Sequence, residues 1–303
     1  MNIFHLCRGI AGSFILRLGL IALLTGTVAS QASGKIVQGS KDIGAVWFIG
    51  DSITQSNADG DANGSPRKAL YDRLVAGGYT FSYTGHSTAN TDGLPSSGLT
   101  AATNLYHYHS GVSGAVIGDA IVGNNPSGRT EIADNIPTWW GQGRLPFVKP
   151  NVVLIMIGTN DVDIQLDLNN APNRLKTLVD TIYAQPGVGS PTVFLASIPP
   201  NRTNTPTDPN NVAAFNAAVP GVVSQLRNAG KDVYFVDQFA PLESNYSTAM
   251  QSDNLHTNST GNDYLAAQWF NAIQARVVPE PSSAMIVVCG LFGLATIRRR
   301  RPC

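Results

Sequence analysis

Apolar residues fall into two alternating patterns between residues 45 and 276. Short runs rich in apolar residues are typical of buried strands, and longer segments with an apolar residue at every third or fourth position are typical of amphipathic helices. The short runs predict strands over 45–49, 80–83, 152–157, 192–196 and 232–236. The longer segments predict helices over 67–76, 173–184, 212–229 and 260–276, with the third helix interrupted at Pro220 and Gly221.

The run 152–157 is apolar on both of its faces, as expected for a strand of a parallel sheet that is covered on both sides. Strands that alternate with helices predict an α/β protein, in which helices pack on both faces of a central parallel sheet. The predicted fold class is therefore a three-layer α/β/α sandwich. Neither an internal repeat nor a linker divides the body, so residues 33–277 are expected to form one domain.

Polar side chains that could carry chemistry follow two of these strands and precede the last helix. The segment Gly50-Asp51-Ser52 comes after the first strand, Gly158-Thr159-Asn160-Asp161 after the central one, and Asp253-Asn254-Leu255-His256 before the helix. The carboxyl ends of parallel strands are where α/β proteins bind ligands. A serine hydroxyl needs a base to become a nucleophile, and a carboxylate three residues from a histidine can fix the tautomer of that base.

Each of these motifs also has an ordinary structural explanation. Gly-Asp-Ser more often forms a turn, Asp-x-x-His often begins a helix, and Gly and Asn are common in turns. An asparagine amide and a glycine N–H at one sheet edge could instead form an oxyanion hole. The segment His109-Ser110-Gly111-Val112-Ser113-Gly114 supplies a candidate glycine.

Taken together and in this order, the four motifs resemble the sequence blocks of the SGNH (GDSL) hydrolases over roughly residues 45–275. The resemblance implies a flavodoxin-like fold and a serine hydrolase that needs no metal or organic cofactor. It implies that Ser52 is the nucleophile, His256 the base and Asp253 the residue that orients the base. The oxyanion donors would be the N–H groups of Ser52 and Gly114 and the side-chain amide of Asn160.

Within this superfamily the chain is most similar to carbohydrate esterase family 3, the acetyl xylan esterases. Asp51 and His109 are further candidates for substrate contacts. Three positions depart from the family pattern: Ser110 stands where an acidic residue is common, Ala115 where an aromatic residue is common, and Thr257 where proline is frequent. The first two departures put the acyl or sugar pocket in doubt, although none of the three removes a catalytic group.

Residues 1–32 are predicted to be a signal peptide. Arg8 and Arg17 precede the apolar run 18–24, and small residues follow up to Ala32. This run is shorter than the roughly 20 residues of a membrane span, which favours a cleaved signal over an uncleaved anchor.

The segment 278–303 has three parts: Pro279-Glu280-Pro281, the apolar stretch 284–297, and the arginines 298–301. Four arginines after a short transmembrane segment would hold that end in the cytoplasm, so a simple membrane anchor is one explanation. The order of the parts resembles the PEP-CTERM sorting signal. That resemblance implies removal by an exosortase-type enzyme and a place on the cell surface or in the extracellular matrix of a Gram-negative bacterium.

Charge and cysteine content narrow the function further. The body between the terminal segments carries about five more acidic than basic residues, which argues against nucleic acid as a partner. All three cysteines lie in the terminal segments, at Cys7, Cys289 and Cys303. The body therefore offers no disulfide, thiolate zinc site or cysteine nucleophile.

The sequence thus predicts a secreted serine esterase whose substrate is an O-acetylated polysaccharide. A lipid esterase, lysophospholipase or thioesterase with the same catalytic residues is an alternative. The polar loop between Gly85 and Thr103, followed by Tyr106 and Tyr108, favours sugar slightly. An alternative of another class is a non-catalytic surface protein that binds glycan, although a binding protein has no use for a complete set of catalytic residues.

Overall fold

The computed structural model describes residues 36, 38–56, 66–89, 94, 105–118, 128–203 and 209–277. The predicted signal peptide and the predicted sorting tail lie outside these residues, as does most of the polar loop between Gly85 and Thr103. Within the described ranges, no helix combines the length and the apolar character that a bilayer crossing requires.

The described strands form one sheet in which every strand pairing is parallel. The strands are β1 (Asp42–Gly50), β2 (Thr80–Thr84), β3 (Ser110–Gly111), β4 (Val152–Met156), β5 (Thr192–Ala196) and β6 (Val233–Val236). Their spatial order is β2-β1-β4-β5-β6, and the short β3 pairs with the carboxyl end of β1 on the edge opposite β4. The predicted parallel α/β fold is confirmed.

Helices connect the strands. They are α1 (Ser52–Gln55), α2 (Pro66–Ala76), α3 (Ile132–Trp139), α4 (Thr159–Asp163), a 3₁₀ turn (Leu168–Asn170), α5 (Ala171–Tyr183), α6 (Pro209–Asn228), α7 (Phe239–Ser244), α8 (Tyr246–Ala249) and α9 (Ser259–Val277). The four helices predicted from periodicity correspond to α2, α5, α6 and α9.

Two hydrophobic layers, one on each face of the sheet, form the core. Side chains alternate along β1, so that Trp47 and Ile49 pack with α3, α5 and α6, whereas Val46 and Phe48 pack with α2 and α9. The sheet is thus covered on both faces, which explains why β4 and β5 are buried along their whole length.

The predicted interruption of the third helix at Pro220 is wrong, because α6 runs unbroken through this residue. Pro220 is exposed while Val219 and Val222 beside it are buried. Water can therefore solvate the carbonyl group that the proline leaves without a donor. Burial of the apolar stripe on both sides of the proline outweighs the local cost of the missing hydrogen bond.

The side of the sheet on which the chain adds its next strand changes between β1 and β4. From β1 the chain runs to β2 on one side, and later returns to β4 on the other side. In such sheets the loops after the two central strands diverge and leave a crevice at their carboxyl ends. Gly50 is opposite Met156 in this register, so the segments after Gly50 and after Met156 both begin at this crevice.

Candidate active site

The nucleophile segment, residues 50–55, leaves β1 in a tight turn and begins α1 at Ser52. A side chain at position 50 would collide with Thr54 and with the carbonyl oxygen of Met156, so only glycine fits there. Asp51 is the N-cap of α1, and its carboxylate accepts a hydrogen bond from Ile53 N–H at 3.0 Å. As the first helical residue, Ser52 has an N–H that points out of the helix start and lacks an acceptor within its own helix.

The acid–base segment, residues 253–256, precedes α9. Asp253 Oδ1 accepts hydrogen bonds from the N–H groups of Leu255 and His256, each at 3.0 Å, which closes a small loop around the carboxylate. Asn254 has φ +60° inside this loop, a conformation that asparagine tolerates better than most residues. The loop leaves Asp253 Oδ2 directed at the ring of His256.

The structure brings the three predicted catalytic side chains together. His256 Nε2 lies 2.9 Å from Ser52 Oγ, and His256 Nδ1 lies 2.6 Å from Asp253 Oδ2. Both distances are within the range of strong hydrogen bonds. Although burial acts to raise the pKa of Asp253, hydrogen bonds from the His256 ring and from the backbone outweigh it, and the net pKa is below its ordinary value. Asp253 is thus an anion at neutral pH.

Two of the three predicted oxyanion donors, Gly114 and Asn160, lie in segments that are joined to each other. The carboxyl end of β3 pairs with Gly50, and the chain then turns through Gly114, whose φ is +72°. Asn160 Nδ2 donates to the carbonyl oxygen of Ala115 at 2.9 Å, which fixes α4 against this turn. On the other side of the turn, Ser113 N–H donates to the Gln55 side chain in α1.

A buried ion pair between Arg174 and Asp161 stabilises the same region. Arg174 Nη1 contacts Asp161 Oδ1 at 2.5 Å, and both side chains are almost fully buried. Asp161 Oδ2 accepts from Ile117 N–H at 3.1 Å, while Arg174 Nη2 donates to the carbonyl oxygen of Leu166. The pair therefore connects α5, α4 and the segment after Gly114, and removal of one partner would leave a buried charge without compensation.

Neither residue that was predicted to contact substrate has a surface from which to do so. Asp51 is buried, and its Oδ2 has no hydrogen-bond partner in the described part of the chain. His109 is fully buried, with Nδ1 accepting from Gly111 N–H at 3.0 Å and Nε2 bonded to the carbonyl oxygen of Ala89 at 2.5 Å. Burial lowers the pKa of His109 well below its ordinary value, assisted by the charge of Arg67. The structure thus gives His109 a packing role, because both of its nitrogens are engaged by the backbone.

Ser110 and Ala115, the two residues near His109 that depart from the family pattern, are also buried. Ser110 Oγ accepts a hydrogen bond from Trp47 Nε1 at 2.8 Å and lies 2.8 Å from His86 Nδ1. The His86 ring stacks on Trp139 with a centroid distance of 3.9 Å. Ala115 belongs to the core layer that contains Trp47. Both departures from the family pattern therefore lie beneath the site and act on packing.

Three residues that lie near the site were not identified from the sequence. Arg129 contacts Asn160 and Gly114, and Arg202 and Tyr246 both hold the backbone carbonyl of Asn254. The contacts join residues that are 8 or more positions apart in the chain, and no motif surrounds the three residues. Arg202 lies in an Asn-x-Thr sequon, which is a signal for glycosylation and not for catalysis.

Two known proteins are similar to this chain in sequence. Putative endoglucanase X from Acetivibrio thermocellus is 33% identical over 141 residues, which are 46% of this chain and 55% of that protein. A multidomain esterase from Ruminococcus flavefaciens is 26% identical over 272 residues, which are 86% of this chain and 32% of that protein. The chain thus spans about half of the first of these relatives and about a third of the second.

The fold and most of the chain are shared with a solved structure. A Clostridium thermocellum family 3 carbohydrate esterase is 28% identical with a TM-score of 0.55, and the match covers 76% of this chain and 97% of that one. The profile of the family described as GDSL-like lipase/acylhydrolase matches residues 46–269, a range that holds Ser52, Asn160, Asp253 and His256. Because that match covers well over half of the chain, the protein belongs to the GDSL-like lipase/acylhydrolase family.

Proposed function

We propose that the protein is a serine esterase in which Ser52, His256 and Asp253 act as a catalytic triad. The observation that carries the proposal is the continuous chain of hydrogen bonds from Ser52 Oγ through both His256 nitrogens to Asp253 Oδ2. This series of hydrogen bonds lies at the carboxyl end of β1, at the crevice where ligands bind in sheets of this topology. Family membership and the esterases among its relatives support the same activity.

The reaction proceeds through an acyl-enzyme. His256 Nε2 takes the Ser52 proton as Oγ attacks the ester carbonyl, and Asp253 stabilises the imidazolium ion that forms. The tetrahedral intermediate collapses when His256 returns that proton to the departing alcohol. Water then attacks the acyl group by the same route, so that the carboxylic acid is released and Ser52 regains its proton.

The oxyanion of each tetrahedral intermediate requires donors that are in place before the reaction. The Ser52 N–H at the helix start, the Gly114 N–H in its turn and the Asn160 amide supply them in this proposal. Such donors stabilise charge most where water is excluded, and Ser52 and Asn160 are both largely buried.

The proposed substrate is an O-acetyl group on an extracellular polysaccharide. Support comes from the similarity to a family 3 carbohydrate esterase and from the sequence signals for export. We propose that residues 1–32 direct export, that an exosortase-type enzyme removes the tail 278–303 during export, and that the protein then lies at the cell surface or in the extracellular matrix. The intact mass of protein recovered from the producing cell tests this processing, and a full-length chain that still carries Arg298 to Arg301 would contradict it.

Hydrolysis of nitrophenyl esters of graded chain length, followed by release of acetate from acetylated xylan, tests the activity and the substrate class. We expect turnover of the acetyl ester and a fall of about 10⁶-fold in kcat for Ser52→Ala. Ser224→Ala, an exposed serine in α6, is the matched control and should keep full activity.

Three other outcomes would count against this assignment. A preference for long acyl chains would favour the lipid esterase or thioesterase alternative. Binding of polysaccharide without turnover would favour the glycan-binding alternative. Turnover that survives in Ser52→Ala would remove Ser52 from its role.

A further inference from the structure

Arg129 contacts two of the three residues that supply the proposed oxyanion donors. A single guanidinium nitrogen, Nη1, donates to Asn160 Oδ1 at 2.8 Å and to the carbonyl oxygen of Gly114 at 3.1 Å. We propose that Arg129 is a positioning residue for the oxyanion hole, which sets the orientation of the Asn160 amide and holds the Gly114 turn. This inference rests on the proposed function, because it assigns Arg129 a part in the same reaction.

The first step of the argument concerns the two ends of the Asn160 amide. Oδ1 faces the Arg129 guanidinium, and Nδ2 donates to the carbonyl oxygen of Ala115 at 2.9 Å. Rotation of the amide by 180° would set oxygen against oxygen at Ala115 and donor against donor at Arg129. Because Asn160 is only 8% exposed, water could not relieve either mismatch. Arg129 therefore selects the orientation that keeps the amide nitrogen on the side of Ala115.

The second step concerns the hydrogen that remains. A planar amide has two N–H bonds in its plane, and the bond to Ala115 uses one of them. Once Oδ1 and one N–H are both held, the plane is fixed, and the direction of the second N–H is fixed with it. This second N–H is the donor that the oxyanion needs. A cation at Oδ1 also polarises the amide, which strengthens its N–H groups as donors.

The third step concerns the backbone donor. Gly114 adopts φ +72°. Because glycine can adopt many other backbone conformations as readily, contacts from outside the turn must hold it in this one. Arg129 holds the Gly114 carbonyl, and Gln55 in α1 holds the neighbouring Ser113 N–H. The Gly114 N–H lies between these two attachments. Arg129 thus positions the side-chain donor and the backbone donor at the same time.

Steady-state kinetics on an acetyl ester test the proposal with Arg129→Met, which keeps the apolar stem, and Arg129→Lys, which keeps a cation. We expect Arg129→Met to lower kcat by about 10- to 100-fold with little change in KM, since misplaced donors weaken only the transition state. Arg129→Lys should recover part of that loss. Arg276→Met is the matched control, because this half-buried arginine pairs with Asp232 and stacks on Tyr234 outside the site. It should keep kcat whatever its effect on the unfolding midpoint.

A double mutant separates positioning from general support of the fold. Asn160→Ala should lower kcat by roughly 10²- to 10³-fold. Because Arg129 also holds the Gly114 turn, adding Arg129→Met to this variant should lower kcat further, but by a smaller factor than Arg129→Met does in the parent. Multiplied losses, or a kcat for Arg129→Met within about threefold of the parent, would overturn the inference.

The side-chain amide resonances of Asn160 give a readout that does not depend on turnover. They can be assigned by their absence from Asn160→Ala. They should shift in Arg129→Met and stay in place in Arg276→Met. An absence of Ser52-dependent hydrolysis would defeat the proposed function alone, whereas unshifted Asn160 resonances in Arg129→Met would defeat the positioning role alone.

Discussion

The nucleophile segment and the acid–base segment use the same local device in opposite surroundings. In each of them an aspartate accepts a hydrogen bond at 3.0 Å from the N–H two residues later, Ile53 for Asp51 and Leu255 for Asp253. Each aspartate is also within three residues of a catalytic side chain. The surroundings differ, since Asp51 is 1% exposed and the Asp253 side chain is 42% exposed.

This difference in burial gives the two carboxyl groups opposite pKa shifts. Burial raises the pKa of Asp51 to about 6, although the Ile53 N–H and His256 act to lower it. At Asp253, burial is outweighed by the hydrogen bonds from His256 and Leu255, and the pKa falls below its ordinary value. The carboxylate that must stay charged beside an imidazolium ion is therefore the one that water reaches. The buried one serves the turn that carries Ser52.

The largest effect should come from the exposed carboxylate. We expect Asp253→Asn to lower kcat by about 10⁴-fold with a small change in KM, because an amide can hold the wrong tautomer of His256 and cannot stabilise its cation. Kinetics on an acetyl ester measure this. Asp263→Asn, an exposed acid in α9, should retain full activity as the control. A variant Asp253→Asn that kept more than a tenth of the parent kcat would show that Asp253 does not assist His256.

The sequence predicts those features of the two segments that depend on the local pattern of residues. The strands were predictable because parallel strands buried on both faces are continuous apolar runs, as in 152–157 and 192–196. The motifs after β1 and β4 then had to meet at one sheet edge, which placed Ser52 and Asn160 near each other. His256 precedes the last helix, and its place in the same site was implied by the resemblance to the SGNH hydrolases; the structure brings it into contact with Ser52.

Features that depend on tertiary surroundings could not be read in the same way. Asp51 was a candidate for substrate contact, but its side chain is buried in the folded chain. His109 likewise lies in a motif near the site while its ring points into the interior. Arg129 and Tyr246 act through contacts with residues that are 31 and 8 positions away, and nothing in their own neighbourhoods marks them.

Ionisation of the buried Asp51 carboxyl should lower the free energy of unfolding as the pH rises. A pKa of about 6 against an ordinary 3.8 means that the folded state binds the Asp51 proton more tightly than the unfolded state. The stability from this group is complete below the unfolded pKa and is lost as the pH rises through about 6, by about 3 kcal/mol in total. Asparagine can accept the Ile53 N–H without ever ionising, so Asp51→Asn should remove that loss.

Denaturant unfolding between pH 4 and pH 8 measures this effect. The free energy of unfolding of Asp51→Asn, relative to that of the parent, should rise with pH across the window from about 4 to 6. When the measurement is extended below pH 4, Asp253→Asn should show the opposite sign there, because a carboxyl pKa lowered from 3.8 contributes stability that is lost as the pH falls below that value. A flat difference for Asp51→Asn, or two variants of the same sign, would contradict the contrast between the two carboxyl groups.

The smallest effect should come from the hydroxyl that holds the acid–base segment. Tyr246 OH lies 3.2 Å from both the backbone carbonyl oxygen and Oδ1 of Asn254, while Arg202 stacks on the Tyr246 ring and its N–H donates to the same carbonyl at 3.0 Å. Because Arg202 keeps one hydrogen bond to Asn254, Tyr246→Phe should cost only about 1 kcal/mol of unfolding free energy. Asn254 adopts φ +60° between Asp253 and His256, so a loosened carbonyl should also misalign the imidazole. We expect kcat to fall by roughly threefold to tenfold with KM unchanged.

Tyr234→Phe is the matched control, because Tyr234 also donates its hydroxyl, to Asp232 Oδ1 at 2.8 Å, and also stacks with an arginine, Arg276. It should lose a similar free energy of unfolding and keep its kcat, since β6 residue 234 does not touch the acid–base segment. Unfolding midpoints and kcat measured together on both variants decide the matter. Equal losses of kcat in the two variants would mean that Tyr246 affects catalysis only through general stability, and the exposed segment would then owe its geometry to Arg202 and to the Asp253 loop itself.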